Sequence, residues 1–473
     1  MNRWIANTPR WLILSALVFA PWAYGATRPW AITGLNWILG ASVVTWLLAQ
    51  LLSQQWPKPH PAMAVASLSL IAQAWFMVWN AKFEYLHLTA EFIPLDAPLP
   101  WLPGSLHRSL SFASGTQLSL LLAAGFVFAD MARHSSWRGR LLWTMAVTGL
   151  SIAILGLAQR FTNAEGIFWR QENFGPNFFA TFRNHTNAGS FLNLIWPLTL
   201  AAALHAHLRD EPRWKTILWS VATGLCLTAL VVNTSRAATI IAVLLAFVIM
   251  LWMGWRLFRQ HLTMRNLAVL GVAVLLAFAA MGSLFFMAGS DANVGRWKQI
   301  EKQLRADNSR LLSAQVCLKM IPEAGWAGFG PGTFQTAFPF YTAEFGDRLR
   351  GRWIFAHQDY LQTITEWGYF GAASWATLIA GALVHSWRKL RRRARRGEIS
   401  ANTRVRHFTV MVALAGVLIH ALADFPLQIA SIQLYCMALV SVLWSAEHWM
   451  HASIRCVVPE EAGVPAPELV CTA

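Results

Sequence analysis

The chain has 473 residues, 56% of them hydrophobic and 13% charged, with a formal net charge of +16. Soluble proteins carry roughly a quarter of their residues as charges, so this composition excludes an ordinary soluble protein and makes the bilayer the expected solvent. Five cysteines, Cys226, Cys317, Cys436, Cys456 and Cys471, have no CxxC or other ligand spacing, which supports neither a disulfide framework nor a metal site.

In chain order, apolar runs of about the 17–25 residues needed to cross a hydrocarbon core predict twelve spans, at 11–27, 30–52, 62–80, 109–131, 141–159, 186–205, 216–233, 237–255, 267–289, 357–387, 407–422 and 430–447. The expected fold is therefore an all-α polytopic membrane protein of about 12 transmembrane helices. The first run has no small-residue cleavage site and is expected to be retained as a helix. Lys and Arg gather in alternate loops: Lys58; Arg133, Arg138 and Arg140; Arg209, Arg213 and Lys215; Arg256, Arg259 and Arg265; and the run from Arg388 to Arg396. By the bias of such residues toward the cytoplasmic side, both termini are expected to be cytoplasmic. The basic run reads as an anchor at an anionic leaflet, so no nucleic-acid partner is expected.

This topology predicts a transmembrane domain over 1–447 and a cytoplasmic tail over 448–473. One long periplasmic loop, 290–356, faces outward, with nine basic residues against six acidic ones. A net basic outward surface attracts anions. Three shorter outward segments are also polar: 160–186, which contains "NFGPNFFATFRNHT"; the tip Asn233-Thr234-Ser235-Arg236; and the connection around Asp424.

Arg236 is expected in the first turn of a membrane helix, where a cation opposes the helix dipole, and Ser235 or Thr234 would cap that helix. Arg310 opens a stretch with helical spacing of Leu311, Leu312, Val316 and Leu318, which Pro322 is expected to end. Gly328, Gly330 and Gly332 follow in a turn that permits close backbone approach. In "RGRWIFAHQDYLQTITEWGYFG", Asp359 and Gln362 stand at capping-box spacing, which gives Asp359 a structural role. His357 is left just outside the helix, where a neutral imidazole can accept a proton. Glu366 lies two turns into the span with its partner undetermined.

Together these motifs resemble the O-antigen ligase and O-antigen polymerase superfamily: Ser-Arg at a helix start, an Arg leading into Gly-Phe-Gly-Pro-Gly-Thr-Phe, then His-Gln-Asp-Tyr-Leu-Gln and Glu-Trp-Gly-Tyr-Phe-Gly. The resemblance is concentrated in 230–371. Ala237 and Gln358 stand where the family often has Gly and Asn. The resemblance implies an inverting, metal-independent membrane glycosyltransferase of the GT-C type, without cofactor, in the bacterial inner membrane with its site facing the periplasm. The implied donor is a glycan on undecaprenyl diphosphate, and the implied acceptor is the lipid A-core. Carried over by position, Arg236 and Arg310 would bind the diphosphate and His357 would be the base. Arg183, His185, Asn187, Arg348, Arg350, Arg352 and Asp424 are further candidates for holding phosphate or sugar, Asp424 by orienting an arginine or capping a helix. Repeat-unit polymerisation, transfer to a protein hydroxyl, and transport of lipid-linked saccharides are the alternative readings. The transport reading expects internal repeats, and the sequence has none of fixed period.

Overall fold

A computed structural model describes residues 3–86, 88–89, 91–170, 177–259, 309–349 and 351–451. The helices are α1 (Arg3–Trp22), α2 (Pro29–Ser53), α3 (Pro61–Trp79), α4 (Arg108–Arg133), α5 (Ser135–Phe161), α6 (His185–Leu208), α7 (Arg213–Val232) and α8 (Arg236–Arg259). After the long loop come α9 (Ser309–Ala324), α10 (Phe334–Ala337), α11 (Asp359–Arg395), α12 (Ala401–His420), α13 (Ala430–Trp444) and α14 (Ala446–His451). Among the described residues, eight helices are long and apolar enough to cross a membrane: α2 to α8 and α11. Of the other expected spans, 11–27, 407–422 and 430–447 correspond to α1, α12 and the 15-residue α13, whereas 267–289 lies outside the described residues, as does the tail from 452.

The all-α expectation needs one correction. Strands β1 (Phe83–Leu86) and β2 (Glu91–Pro94) pair antiparallel, with Glu84 opposite Ile93. Aromatic pairs hold this hairpin, with Phe83 and Phe92 6.0 Å apart and Tyr85 and Phe92 5.0 Å apart. Such cross-strand pairs stabilise an isolated two-stranded sheet.

In the main core, α6 lies between α7 and α12, α1 packs on α2 and α5, and α13 packs on α4 and α11. Asn187 through Thr199 of α6 are all buried, and α13 is buried along its length except at Gln433. Small or amide side chains on α6 (Ala188, Gly189, Ser190, Asn193) suit a helix enclosed by others, because in lipid helix association depends on close packing and interhelical hydrogen bonds. A second, smaller core unites α9, α10 and the segment before α11 through Leu312, Val316, Met320, Phe334 and Phe338.

Pro322 does not end α9. The helix continues to Ala324 and closes at Gly325, which adopts φ +56°; a proline in the last turn removes only one intrahelical hydrogen bond. The span expected over 357–387 is likewise not one uniform helix. At Gly368 the backbone takes φ +63° and ψ −172°, which breaks α11. The glycine turn fills the break. Phe329 and Gly330 amides donate to the carbonyls of Thr365 (2.9 Å) and Glu366 (3.0 Å), and the Tyr369 and Phe370 amides donate to the carbonyls of Gly325 and Trp326 (3.1 Å each). Gln73 of α3 closes the joint by donating to the Ala327 (3.0 Å) and Trp367 (2.7 Å) carbonyls. Broken helices are tolerated at membrane depth only where the freed backbone groups are satisfied again, and this turn satisfies them.

Candidate active site

The break in α11 fixes where its first turn, and hence His357, can sit. Gln358, rather than Asp359, is the N-cap: its Oε1 accepts from the Leu361 amide at 2.5 Å. The capping-box reading of Asp359 is thereby corrected. Its fully buried carboxylate accepts instead from the Leu427 amide (2.8 Å) and from Gln428 Nε2 (2.9 Å), joining α11 to the 3-10 turn ahead of α13. Gln362 reaches back to the Ala356 amide (3.0 Å), and Ser313 Oγ of α9 donates to the Ala356 carbonyl (3.1 Å). Glu366 has partners after all, accepting from the amides of Gly332 (3.1 Å) and Phe334 (3.2 Å) and from Gln362 Nε2 (3.1 Å). These bonds give it the work of holding the glycine turn.

His357 itself has φ +56°, in the left-handed region. Its Nδ1 lies 2.9 Å from Asp424 Oδ1. Phe425 and Trp353 meet the ring nearly perpendicularly, at 4.7 and 5.7 Å between centroids. With Nδ1–H donating to the carboxylate, the imidazole is held in the tautomer that leaves Nε2 as the acceptor. Asp424 is 1% exposed, and its Oδ1 also accepts from the Phe425 amide at 3.1 Å. Arg310 approaches the same carboxylate from α9, with Nη2 3.8 Å from Oδ2, while its Nη1 donates to the Ala423 carbonyl at 3.2 Å. Burial alone would raise the Asp424 carboxyl, but its bond to His357, the Arg310 charge and the neighbouring Thr186 hydroxyl outweigh burial and hold it down at about 2. Asp424 therefore lies in contact with both the histidine and an arginine.

At the start of α6, the Oδ1 of the N-cap Asn184 accepts from the Thr186 amide and hydroxyl at 2.9 Å each. His185 beside it lies 3.3 Å through Nδ1 from the Asn177 carbonyl, and Asn187 is buried with no partner for its Oδ1 among the described residues. Arg183 is exposed ahead of the helix. Arg236 stands at the first position of α8, half-buried, behind Ser235, whose Oγ accepts from the Ala238 amide at 3.4 Å. Ser235 is thus the cap, and Thr234 takes a turn position at φ +66°. The tip packs on α6, since a Cβ placed on Gly189 would lie 3.3 Å from both Asn233 Nδ2 and Ser235 Cβ.

Two other arginines of the loop bond elsewhere. Exposed Arg348 bonds the Phe345 carbonyl (3.3 Å), exposed Arg352 bonds Gln335 Oε1 (3.0 Å), and Arg350 lies outside the described residues. His420, which the sequence reading passed over, is 1% exposed, and neither ring nitrogen has a hydrogen-bond partner among the described residues. It precedes Asp424 by four residues in "HALAD", a spacing that places two side chains on one helical face and could have drawn attention to it.

An apolar groove of 560 Å³ between α3 and the joint at Gly368 is lined by Ser69, Ala72, Gln73, Phe76, Trp326, Ala327 and Phe370. Residues 221–376 match the family model described as O-antigen ligase, a span running from within α7 into α11 and including Arg236, Arg310 and His357. No curated protein matches the chain.

Proposed function

We propose, from the O-antigen ligase match over residues 221–376 as premise, that this membrane protein transfers a glycan from undecaprenyl diphosphate to an acceptor hydroxyl on the periplasmic side, with lipid A-core as the acceptor. The 2.9 Å contact of His357 with the buried Asp424, which Arg310 also approaches, is the observation that carries this reading. His357 Nε2 takes the proton of the acceptor hydroxyl as that oxygen bonds to the anomeric carbon. The bond from this carbon to the diphosphate oxygen breaks on the opposite face, so the configuration inverts. The electron pair leaves on the diphosphate, where Arg236 and Arg310 offer guanidinium groups whose planar forks match phosphate oxygens and stay charged. Residues Arg183, His185, Asn187, Arg348, Arg350 and Arg352 are assigned to the sugar and phosphate groups around this centre, and the 560 Å³ groove to the polyprenyl tail.

The test uses the full chain in nanodiscs with an undecaprenyl-diphosphate glycan, a chelator, and either lipid A-core or a second lipid-linked glycan as acceptor. Wild type is expected to transfer to lipid A-core. His357→Ala should lose about 10²–10⁴-fold, and Arg236→Ala and Arg310→Ala about 10²–10³-fold each. Product on the second lipid-linked glycan alone would make the protein a polymerase. Wild-type turnover in all three folded variants would remove the site.

A further inference from the structure

At the end of the bundle opposite His357 lies a cavity of 320 Å³ between the α2–α3 connection and the ends of α4 and α13. His385, about 24 Å along the part of α11 that follows its break at Gly368, at 1.5 Å per residue, packs beside this cavity, its ring 4.5 Å from His60 and 5.3 Å from Trp444. The floor is apolar, from Trp46, Met63, Phe126 and Trp444, and the charged lining is Lys58, Arg133, Asp130 and Glu447, with His60 and His448.

The two carboxylates are already neutralised from outside the lining. Arg10 pairs with Asp130 at 3.4 Å, and Lys389 pairs with Glu447. Among the described residues Lys58 and Arg133 have no such compensation, so the cavity presents two cations beside apolar side chains. Lys58 is held between Pro57 and Pro59, whose fixed φ values and restriction of the preceding residue stiffen this stretch. Exposed Leu48, Leu51 and Leu52 of α2, followed by Trp56, lead along the outer surface toward it. The same end carries the basic run from Arg388 to Arg396.

We infer that this cavity binds the phosphate headgroup of an anionic phospholipid, with Lys58 and Arg133 on the phosphate and the acyl chains along the exposed leucines of α2. A free phosphate ion shares the charge but would leave the apolar floor and the leucines without a role. Basic pockets between helices are suited to such headgroups because the charge acts beside hydrocarbon and an anionic leaflet supplies the ligand at high local concentration. This inference does not depend on the transfer reaction.

The test is native mass spectrometry and thermal unfolding of the full chain in detergent, titrated with phosphatidylglycerol, phosphatidylcholine or sodium phosphate. Wild type should retain one phosphatidylglycerol per chain and unfold roughly 3–5 °C higher with it, with little response to phosphatidylcholine or phosphate. The double variant Lys58→Gln, Arg133→Gln should bind phosphatidylglycerol at least tenfold more weakly, whereas Arg391→Gln, Arg392→Gln, on the basic run outside the cavity, should bind as wild type does. Equal loss in both double variants would reduce the effect to general charge. Equal binding by wild type and the cavity variant would remove the site, and an equal response to sodium phosphate would overturn the lipid. If the cavity double variant does not fold, Lys58→Gln alone, in an exposed turn, is read in its place, and wild-type binding by it counts against the inference.

Discussion

At His357 an L-residue is held at φ +56°, a conformation that costs roughly 1–2 kcal/mol. The strain persists because Ser313 and Gln362 both bond Ala356 and the Asp359 amide bonds the Ala421 carbonyl at 3.0 Å. His357→Gly should therefore unfold later than His357→Ala, by about 1 kcal/mol in chemical denaturation, while both remain inactive in transfer. Asp424→Asn keeps the shape but accepts the Nδ1 proton poorly, so transfer should fall about 10²–10⁴-fold with the acceptor KM little changed. The sign of its pH effect follows from the lowered carboxyl. Stability from ionised Asp424 is fully present above its ordinary value of 3.8 and is lost as pH falls through about 2. Thermal midpoints of wild type and Asp424→Asn should accordingly converge as pH drops across that window, with wild type the more stable at pH 6. The sequence made His357 and Arg310 legible through their motif neighbours. It left Asp424 with two alternative roles and overlooked His420, because the contact that decides between the roles spans 67 residues and no local pattern encodes it.

For the elements, the joint between the glycine turn and α11 supplies the sharpest stability test. A Cβ on Gly368 would lie 2.4 Å from the Trp326 carbonyl carbon, and one on Gly328 2.3 Å from the Glu366 carbonyl oxygen. Both clashes involve backbone. Gly368→Ala and Gly328→Ala should each cost more than about 4 kcal/mol and abolish the yield of folded protein. Gly397→Ala, at φ +70° just past the end of α11 with nothing near its Cβ, should cost only about 1–2 kcal/mol. Glu366→Gln keeps one acceptor oxygen but turns an NH2 donor toward the amide of either Gly332 or Phe334, and should destabilise by about 1–3 kcal/mol with the pH profile of transfer unmoved. The close-approach turn was readable from its three glycines. Its docking partner was not, because Gly368 sits among Trp367, Tyr369 and Phe370 and the stretch reads as unbroken apolar helix until another segment supplies the missing hydrogen bonds.

Among the described residues, apolar run length located the eight helices long and apolar enough to cross a membrane, because satisfying the backbone in lipid leaves few alternatives to a helix. It could not foresee the β1–β2 hairpin, whose four-residue strands are too short to register against the surrounding hydropathy. Buried polar side chains also escape a hydropathy reading. Both amide atoms of Asn233 are buried without hydrogen-bond partners among the described residues, so Asn233→Leu should raise stability by about 1–3 kcal/mol in denaturant titration. The reciprocal bonding of 325–330 with 365–370 also bears on how this protein can be recombined. Each side supplies backbone groups that the other needs, and both lie inside the 221–376 match. Chimeras that exchange the loop while retaining a foreign α11 would separate two halves of one unit. Crossovers placed before Ser309 and after Gly371 would pass the two sides of this bonding on as a single heritable cassette.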